Sequence, residues 1–455
     1  MQPHIQPRRR IAVIGTGISG LSAAWLLARH HTIDVYEADD RIGGHSNTVD
    51  VDIDGRRIPV DTGFIVYNEP CYPNLTALFA HLGVETAATD MSFAVSLDRG
   101  RLEYAGSDLL GLLAQPANLI RPRFWSMLAD LLRFYREAPA GLATMGEESL
   151  DDWLDARGYG TAFREDHLHP MAAAIWSTPA MQVGRYPAAA FVRFCDNHGL
   201  LRLRGRPAWR TVVGGSRAYV ARLAAPFADR IRRATPVAAI RRDGATVAVI
   251  DGAGREEQYD RVVIATHADR ALAMLADPDA DERRLLSAFR YARNDAVLHR
   301  DPTLMPQRRR AWASWNYLSD GAGDDRSLSV TYWMNRLQPL GAGTPDLFVT
   351  LNPLRAPRRD LVHARIAYEH PIFDTGTFRA QQELWSLQGR RQTWFCGAHF
   401  GAGFHEDGLQ AGLAAAEEAG ETTRPWTVAD ADGRIRRTVR PAAAPARPAL
   451  PEAAE

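Results

Sequence analysis

Gly15, Gly17 and Gly20 stand in the spacing GxGxxG. They follow the apolar run Ile11-Ala12-Val13-Ile14 and precede an alanine- and leucine-rich stretch from Leu21 to Arg29. This spacing lets a pyrophosphate lie against bare backbone. Gly15 permits the tight turn, Gly17 lets the backbone approach the phosphates, and Gly20 lets the helix pack closely on its strand. The first-turn amides, those of Ile18 and Ser19, then face the phosphates, where the helix dipole favours negative charge. Glu37-Ala38 closes the next strand, Thr32 to Tyr36, about 20 residues beyond the glycines. A carboxylate there accepts hydrogen bonds from ribose hydroxyls and disfavours a 2′-phosphate. The order of strand, glycine turn, helix, strand and acid predicts a dinucleotide-binding unit, with NADP disfavoured.

A second group able to do chemistry lies near the other end. Thr393-Trp394-Phe395-Cys396 reads as a strand ending in Gly397-Ala398-His399, followed by FGAGFHEDGLQAGLAAAE. Gly408-Leu409 is expected to open an alanine-rich helix whose first amides can stabilise negative charge. His399, His405 and Glu406 are the candidate acid/base catalysts of this loop. For His405 the commoner alternative is a helix cap or a backbone hydrogen bond. Asp407 reads as an N-cap, and Tyr317 and Tyr332 are weaker candidates.

The chain has 455 residues, enough for two domains, with 46% hydrophobic and 24% charged residues and a formal charge of zero. Zero charge implies no broad surface for nucleic acid. Cys71, Cys195 and Cys396 are widely spaced, with no CxxC pair. That argues against a metal site and for reduced thiols in a cytoplasmic protein. No run of about 20 apolar residues predicts a spanning helix. All 54 basic residues are arginine, so no mechanism can use a lysine of this chain.

Between these ends, Val49, Val51 and Ile53 alternate up to Asp54-Gly55 and predict a hairpin. Helical spacing begins at Pro73. Leu109 to Phe134 is unusually apolar, broken by Pro116 and Pro122 and dotted with Arg121, Arg123 and Arg133. Two readings fit it: an interfacial element touching a bilayer, or helices packed over a substrate cavity, the commoner use of such helices. His167 and His169, two apart, do not share a helix face and make a poor metal pair. Ala311–Leu318, Ser327–Met334 and Leu347–Leu351 alternate as half-buried strands and carry Trp312, Trp315, Tyr317, Tyr332 and Trp333.

Arg41-Ile42-Gly43-Gly44-His45, with Thr48, resembles the RxGG extension of the superfamily of flavin amine oxidases, phytoene desaturases and protoporphyrinogen oxidases. Asp61-Thr62-Gly63-Phe64 resembles that superfamily's D-x-G segment. The resemblance implies FAD, with Arg41, Gly43 and Gly44 along the pyrophosphate and ribityl chain. It implies Thr62, Gly63 and Phe64 beside the flavin, Val237 at the adenine, Thr266 in the nucleotide-binding domain, and Gly397, Ala398, Gly408 and Leu409 at the ribityl chain and flavin edge. Two departures stand out. His45 replaces the usual second arginine, as a neutral hydrogen-bond donor or a covalent attachment point for the flavin; Ala398-His399 replaces an acidic residue.

The implied fold class is α/β. A Rossmann-type FAD-binding domain (8–70, 202–274, 391–425) holds an inserted, discontinuous α+β substrate domain (71–201, 275–390), and a Pro/Ala-rich tail (428–455) is expected to be disordered. RIGGHSNTV, VYNEPCYPNLTALFAHLGV and WFCGAHFGAGFHEDGLQAG further resemble a bacterial subgroup that accompanies cyclopropane-fatty-acid-synthase-like methyltransferases. That implies dehydrogenation of an apolar substrate, a fatty acyl chain of a membrane lipid, unsaturated or methylated at mid-chain, by hydride transfer to flavin N5. It also implies a functional link to the methyltransferase, and the apolar, arginine-dotted 109–134 region is compatible with peripheral contact with the inner face of the membrane. The rival expectations are an amine oxidase releasing peroxide, a non-redox isomerase and a non-catalytic flavin-binding protein. The lysine that many amine oxidases of the superfamily place at flavin N5 has no counterpart here.

Overall fold

Five parallel strands carry the nucleotide-binding half of a computed structural model that describes residues 7–176, 183–321 and 327–437. Their order is Ile231–Arg232, Thr32–Tyr36, Arg10–Ile14, Arg261–Ile264, Thr393–Phe395. Ile11, Ala12, Val13 and Ile14 are all buried, because helices cover both faces of a parallel sheet. The chain leaves the central strand in both directions, pairing Ile14 with Tyr36 on one side and Ile264 on the other. The crevice at the carboxyl ends of such diverging strands is where this architecture binds ligands. Gly15, Glu37, Ala265-Thr266 and Cys396-Gly397 all stand there. The fold is α/β with a Rossmann-type parallel sheet, as expected.

The helix Ile18–Leu27 is buried on every side, so it carries no amphipathic stripe. It packs on the last helix, which begins at His405 rather than at Gly408. Asp407 starts that helix early: its carboxylate accepts from the Phe404 amide at 2.7 Å. The contact between the two helices is close. A Cβ on Gly412 would lie 2.2 Å from the Ser19 carbonyl oxygen, and one on Gly408 2.9 Å from Ser19 Oγ.

The second sheet has seven strands, in the order Val362–Ile372, Arg290–His299, Phe348–Leu351, Ser327–Trp333, Trp315–Asp320, Phe93–Leu97, Leu102–Ala105. Only the pairing of Trp315–Asp320 with Phe93–Leu97 is parallel. The strand expected from Ala311 starts at Trp315, because Arg309–Ala311 forms a 3-10 turn and Ala313 is held by the Asn316 side chain. The apolar stretch from Leu109 resolves into a short helix Leu109–Leu112, a 3-10 turn Pro116–Ile120 and a helix Pro122–Gly141. Pro116 and Pro122 each open an element, where a missing amide costs nothing. Phe124, Met127, Leu131 and Phe134 of the long helix join Val95, Tyr104, Trp153, Phe191 and Tyr317 in one core beneath the sheet.

The tail expected to be disordered from 428 is packed as far as Arg437. Ile435 is buried, and Arg434 Nε donates to Asp407 Oδ1 at 2.7 Å and Arg434 Nη1 to the Cys71 carbonyl at 2.8 Å. The composition of the segment hides two anchors, an apolar side chain and a paired guanidinium. Residues 438–455 lie outside the described residues. All three cysteines are free and buried.

Candidate functional site

At the carboxyl ends of the parallel strands, a Cβ on Gly20 would lie 1.9 Å from the Gly15 carbonyl oxygen, so only glycine allows the first helix to start so close to its strand. A Cβ on Gly17 would meet nothing within 4 Å. Gly17 faces open space at the helix N-terminus, and no side chain caps that helix. Glu37 is held beside the turn: one carboxylate oxygen accepts from the Thr16 amide at 2.9 Å and from the Thr16 hydroxyl, the other from the Asp39 amide at 2.9 Å. The Arg41–Gly44 loop folds over the glycine turn. The Gly43 amide donates to the Thr16 carbonyl at 3.0 Å, and Arg41 Nη1 to the Gly44 carbonyl at 2.8 Å. Thr16, absent from the sequence reading, thus ties together the acid, the glycine turn and the arginine loop. Beyond Glu37, the amide of Thr235 donates to the Glu37 carbonyl at 2.8 Å and sets Val237 at the start of its strand.

At the other end of the crevice the His45 carbonyl accepts from the Phe64 amide at 2.8 Å, bringing Thr62-Gly63-Phe64 against the Gly43–His45 loop. Tyr368, on the longest strand of the second sheet, reaches the same place. Its hydroxyl accepts from Asn47 Nδ2 at 3.0 Å and meets Thr62 Oγ1 at 2.7 Å. His370, two residues on, has its ring 5.3 Å from that of His45. Burial, with His370 next, holds the His45 imidazole well below its usual pKa, so it is neutral. Tyr368 and His370 escaped the sequence reading, although two polar aromatics at period two do mark one face of a strand.

A family model described as flavin containing amine oxidoreductase matches residues 18–299, which run from the first helix through this crevice into the second sheet. The chain belongs to that family. It is a FAD-dependent oxidoreductase. Short segments are also similar to curated proteins: 42% identity over 83 residues to a flavin-containing amine oxidase A of Equus caballus, and 33% over 84 residues to a zeta-carotene desaturase of Arabidopsis thaliana. These matches cover 17% and 18% of this chain, and only 14% of the length of each relative. A fatty acid isomerase from P. acnes shares the fold, with a TM-score of 0.63 at 16% identity over 91% of this chain and 98% of the other.

The residues present fit FAD. The open cradle at Gly17, the uncapped helix and the Glu37 carboxylate suit a pyrophosphate and ribose, and His45 Nε2 and His399 Nε2 are buried without a hydrogen-bond partner. The helix that holds Gly408 and Leu409 packs against the first helix, and the turn after Gly397 that begins at Ala398 packs on that same last helix.

The three residues put forward as acid/base catalysts do not converge. His399 sits against Phe289 and Phe400, with burial driving its pKa down to about 3. His405 lies flat on the Phe64 ring, centroids 3.9 Å apart, and its Nε2 meets the Tyr219 hydroxyl at 2.6 Å. Its pKa is also pushed down to about 3 by desolvation. Glu406 is a structural clamp. Its carboxylate accepts from the Asn74 amide and side chain, the Leu75 amide and Gln410 Nε2, all at 3.0 Å, which caps the helix Pro73–Leu82. Burial raises its pKa, but four donors already engage both oxygens of this carboxylate, which sets Glu406 to holding the helix rather than to the catalysis expected of it. Among the described residues no cluster of histidine, cysteine and carboxylate could hold a metal.

Proposed function

We propose that this enzyme dehydrogenates a fatty acyl chain of a membrane lipid, unsaturated or methylated at mid-chain. The observation that carries this reading is the apolar wall of the second sheet. Trp315 and Tyr332 pair across neighbouring strands, ring centroids 5.8 Å apart, and pack with Phe93, Phe373 and Phe404 against the core of the helical region. The buried carboxylates around that core are committed. Glu103 accepts from the Gln307 amide and Arg308, Asp166 pairs with Arg123, and Asp407 pairs with Arg434. An ammonium substrate buried there would be served best by a carboxylate with no other partner. An acyl chain needs only apolar contact and exclusion of water.

When bound, FAD supplies the two-electron acceptor for a substrate C–H bond. The residues of the chain would hold the cofactor: Gly15, Gly17, Ile18, Ser19 and Gly20 at the pyrophosphate, Glu37 at the ribose, and Thr62, Gly63, Phe64 and Gly397 beside the ring system. Neutral His45 ends the Gly43–His45 loop, stacks on Tyr368 of the second sheet and has its Nε2 free at the junction of the two sheets. The similarity to a desaturase over 84 residues agrees with dehydrogenation. The similarity to an amine oxidase over 83 residues keeps an amine as the second substrate class.

The test uses FAD-loaded protein without oxygen. Bleaching of the flavin by phospholipids with unsaturated or mid-chain-methylated acyl groups, with loss of two hydrogens from the chain, is the expected result. Bleaching by di- and monoamines alone would overturn it.

A further inference from the structure

Among the described residues the exposed large apolar side chains are Leu109, Leu110, Leu119, Ile120, Trp125, Leu132 and Leu203. Six of these seven fall between positions 109 and 132. Single exposed apolar residues are ordinary on a protein surface; a concentration of this kind marks an interaction site. Ile120 is 85% exposed and Leu109 70%, so little of either side chain is covered by the rest of the protein.

The elements beneath are built to present it. Asp108 caps the short helix that carries Leu109 and Leu110, its side chain accepting from the Gly111 amide at 2.6 Å. The Trp125 indole donates to the Leu119 carbonyl at 2.9 Å, fixing the 3-10 turn to the long helix. Arg121 Nη1 braces the same turn through the Arg101 carbonyl and the side chains of Gln115 and Asn118. Trp125 and Leu132, seven residues apart, share the outer face of the helix Pro122–Gly141, while Phe124, Met127, Leu131 and Phe134 fill the core behind it.

Charge singles out the partner. Leu203 alternates with Arg202, Arg204 and Arg206 in an exposed loop that contains no acidic residue. The helix Ala188–Asn197 packs on the long helix Pro122–Gly141 and leads directly into this loop. Among the described residues, no acidic side chain pairs with Arg204 or Arg206. Apolar side chains flanked by arginine are what an interface between anionic head groups and acyl chains takes up. No helix among the described residues is long and apolar enough to cross a membrane, so the contact is with one leaflet.

We propose that the surface formed by Leu109–Leu132 and the Leu203 loop docks this enzyme on a bilayer of anionic phospholipid. The inference goes beyond the acyl-substrate reading and stands without it, because the apolar patch and the arginines are on the outer surface.

The test is flotation of the full, FAD-loaded chain with vesicles of phosphatidylglycerol and phosphatidylcholine, against vesicles of phosphatidylcholine alone. Strong binding to the anionic vesicles is expected, falling as salt is raised. The double variant Ile120→Asp/Trp125→Ser should partition about tenfold or more weakly, and the triple variant Arg202→Gln/Arg204→Gln/Arg206→Gln should lose the preference for anionic lipid. Both should keep FAD and the parent's circular dichroism. No flotation, flotation that neither variant weakens, or a parent dimer that the double variant splits without altering flotation would overturn the proposal. Flavin bleaching by short-chain acyl lipids dispersed below their micelle concentration separates the two readings. A double variant that still bleaches has lost the surface alone, and a parent that docks but never bleaches removes the acyl-substrate reading alone.

Discussion

The His45 imidazole lies on the ring of Tyr368, their centroids 5.0 Å apart and their planes inclined by 25°. One residue follows the glycine pair of the nucleotide-binding half, and the other belongs to the longest strand of the second sheet. The Tyr368 hydroxyl accepts from Asn47 and, because Thr62 Oγ1 already donates to the Asn47 carbonyl at 3.1 Å, donates to Thr62. A single phenol therefore joins three segments around the flavin site. Tyr368→Phe leaves two buried polar groups short of a partner and should cost about 1–3 kcal/mol. Urea unfolding should show the loss, and the purified variant should carry less FAD per chain by its absorbance near the flavin maximum.

Two glycines of the same motif should respond in opposite ways. Gly17 has φ of −64° and open space where a Cβ would stand. Gly17→Ala should leave the apoprotein as stable as before, or more stable by about 0.4–1 kcal/mol through the unfolded chain, while weakening FAD. Gly20→Ala forces a methyl into the Gly15 carbonyl and should destabilise the fold itself. Thermal melts of the apoproteins with FAD titration separate the two effects. Equal loss of stability in both would contradict the assignment of Gly17 to the pyrophosphate.

The first and last glycine motifs were legible because each couples residue type to a local backbone requirement. The same holds for the strand Thr32–Tyr36, found with its expected bounds, and for the hairpin around Asp54-Gly55, where both residues take positive φ. What stayed hidden was settled by tertiary contact. Glu406 looked free for chemistry until the helix Pro73–Leu82, over 300 residues earlier in the chain, brought its amides to it. Tyr368 and His370 sit in a strand with no motif, and only the packing of two sheets makes them neighbours of His45. The segment 428–437 read as part of a disordered tail because Arg434 and Ile435 have partners that sequence distance conceals.

Acid should unfold this enzyme through its buried histidines. Burial lowers His167 and His299 to about 4 and His198 and His399 to about 3, from an ordinary value of 6.5. Below about pH 6.5 the unfolded chain takes up protons that the folded chain refuses, so stability is full above that value and falls as pH drops toward 4 and then 3. Each such histidine should remove about 2 kcal/mol by about pH 5. The urea midpoint should therefore fall steeply between about pH 7 and about pH 5.5, with proton uptake on unfolding. A flat midpoint across that window would mean that these imidazoles titrate normally in the folded state.

Arg434 tests whether the end of the described chain is part of the site's support. Its guanidinium pairs with Asp407, a fully buried carboxylate in the first turn of the helix that also holds Gly408 and Leu409. Arg434→Ala leaves that carboxylate without its counter-charge, and breaking a buried pair from one side costs about 3–5 kcal/mol. Burial raises the Asp407 pKa and Arg434 opposes the rise, so without the arginine Asp407 should protonate at a higher pH. The variant should then be least impaired in mild acid, where a neutral Asp407 no longer needs a cation. Unfolding of parent and variant at two pH values checks this. A stability gap that stays constant with pH would show that the loss comes from packing rather than charge.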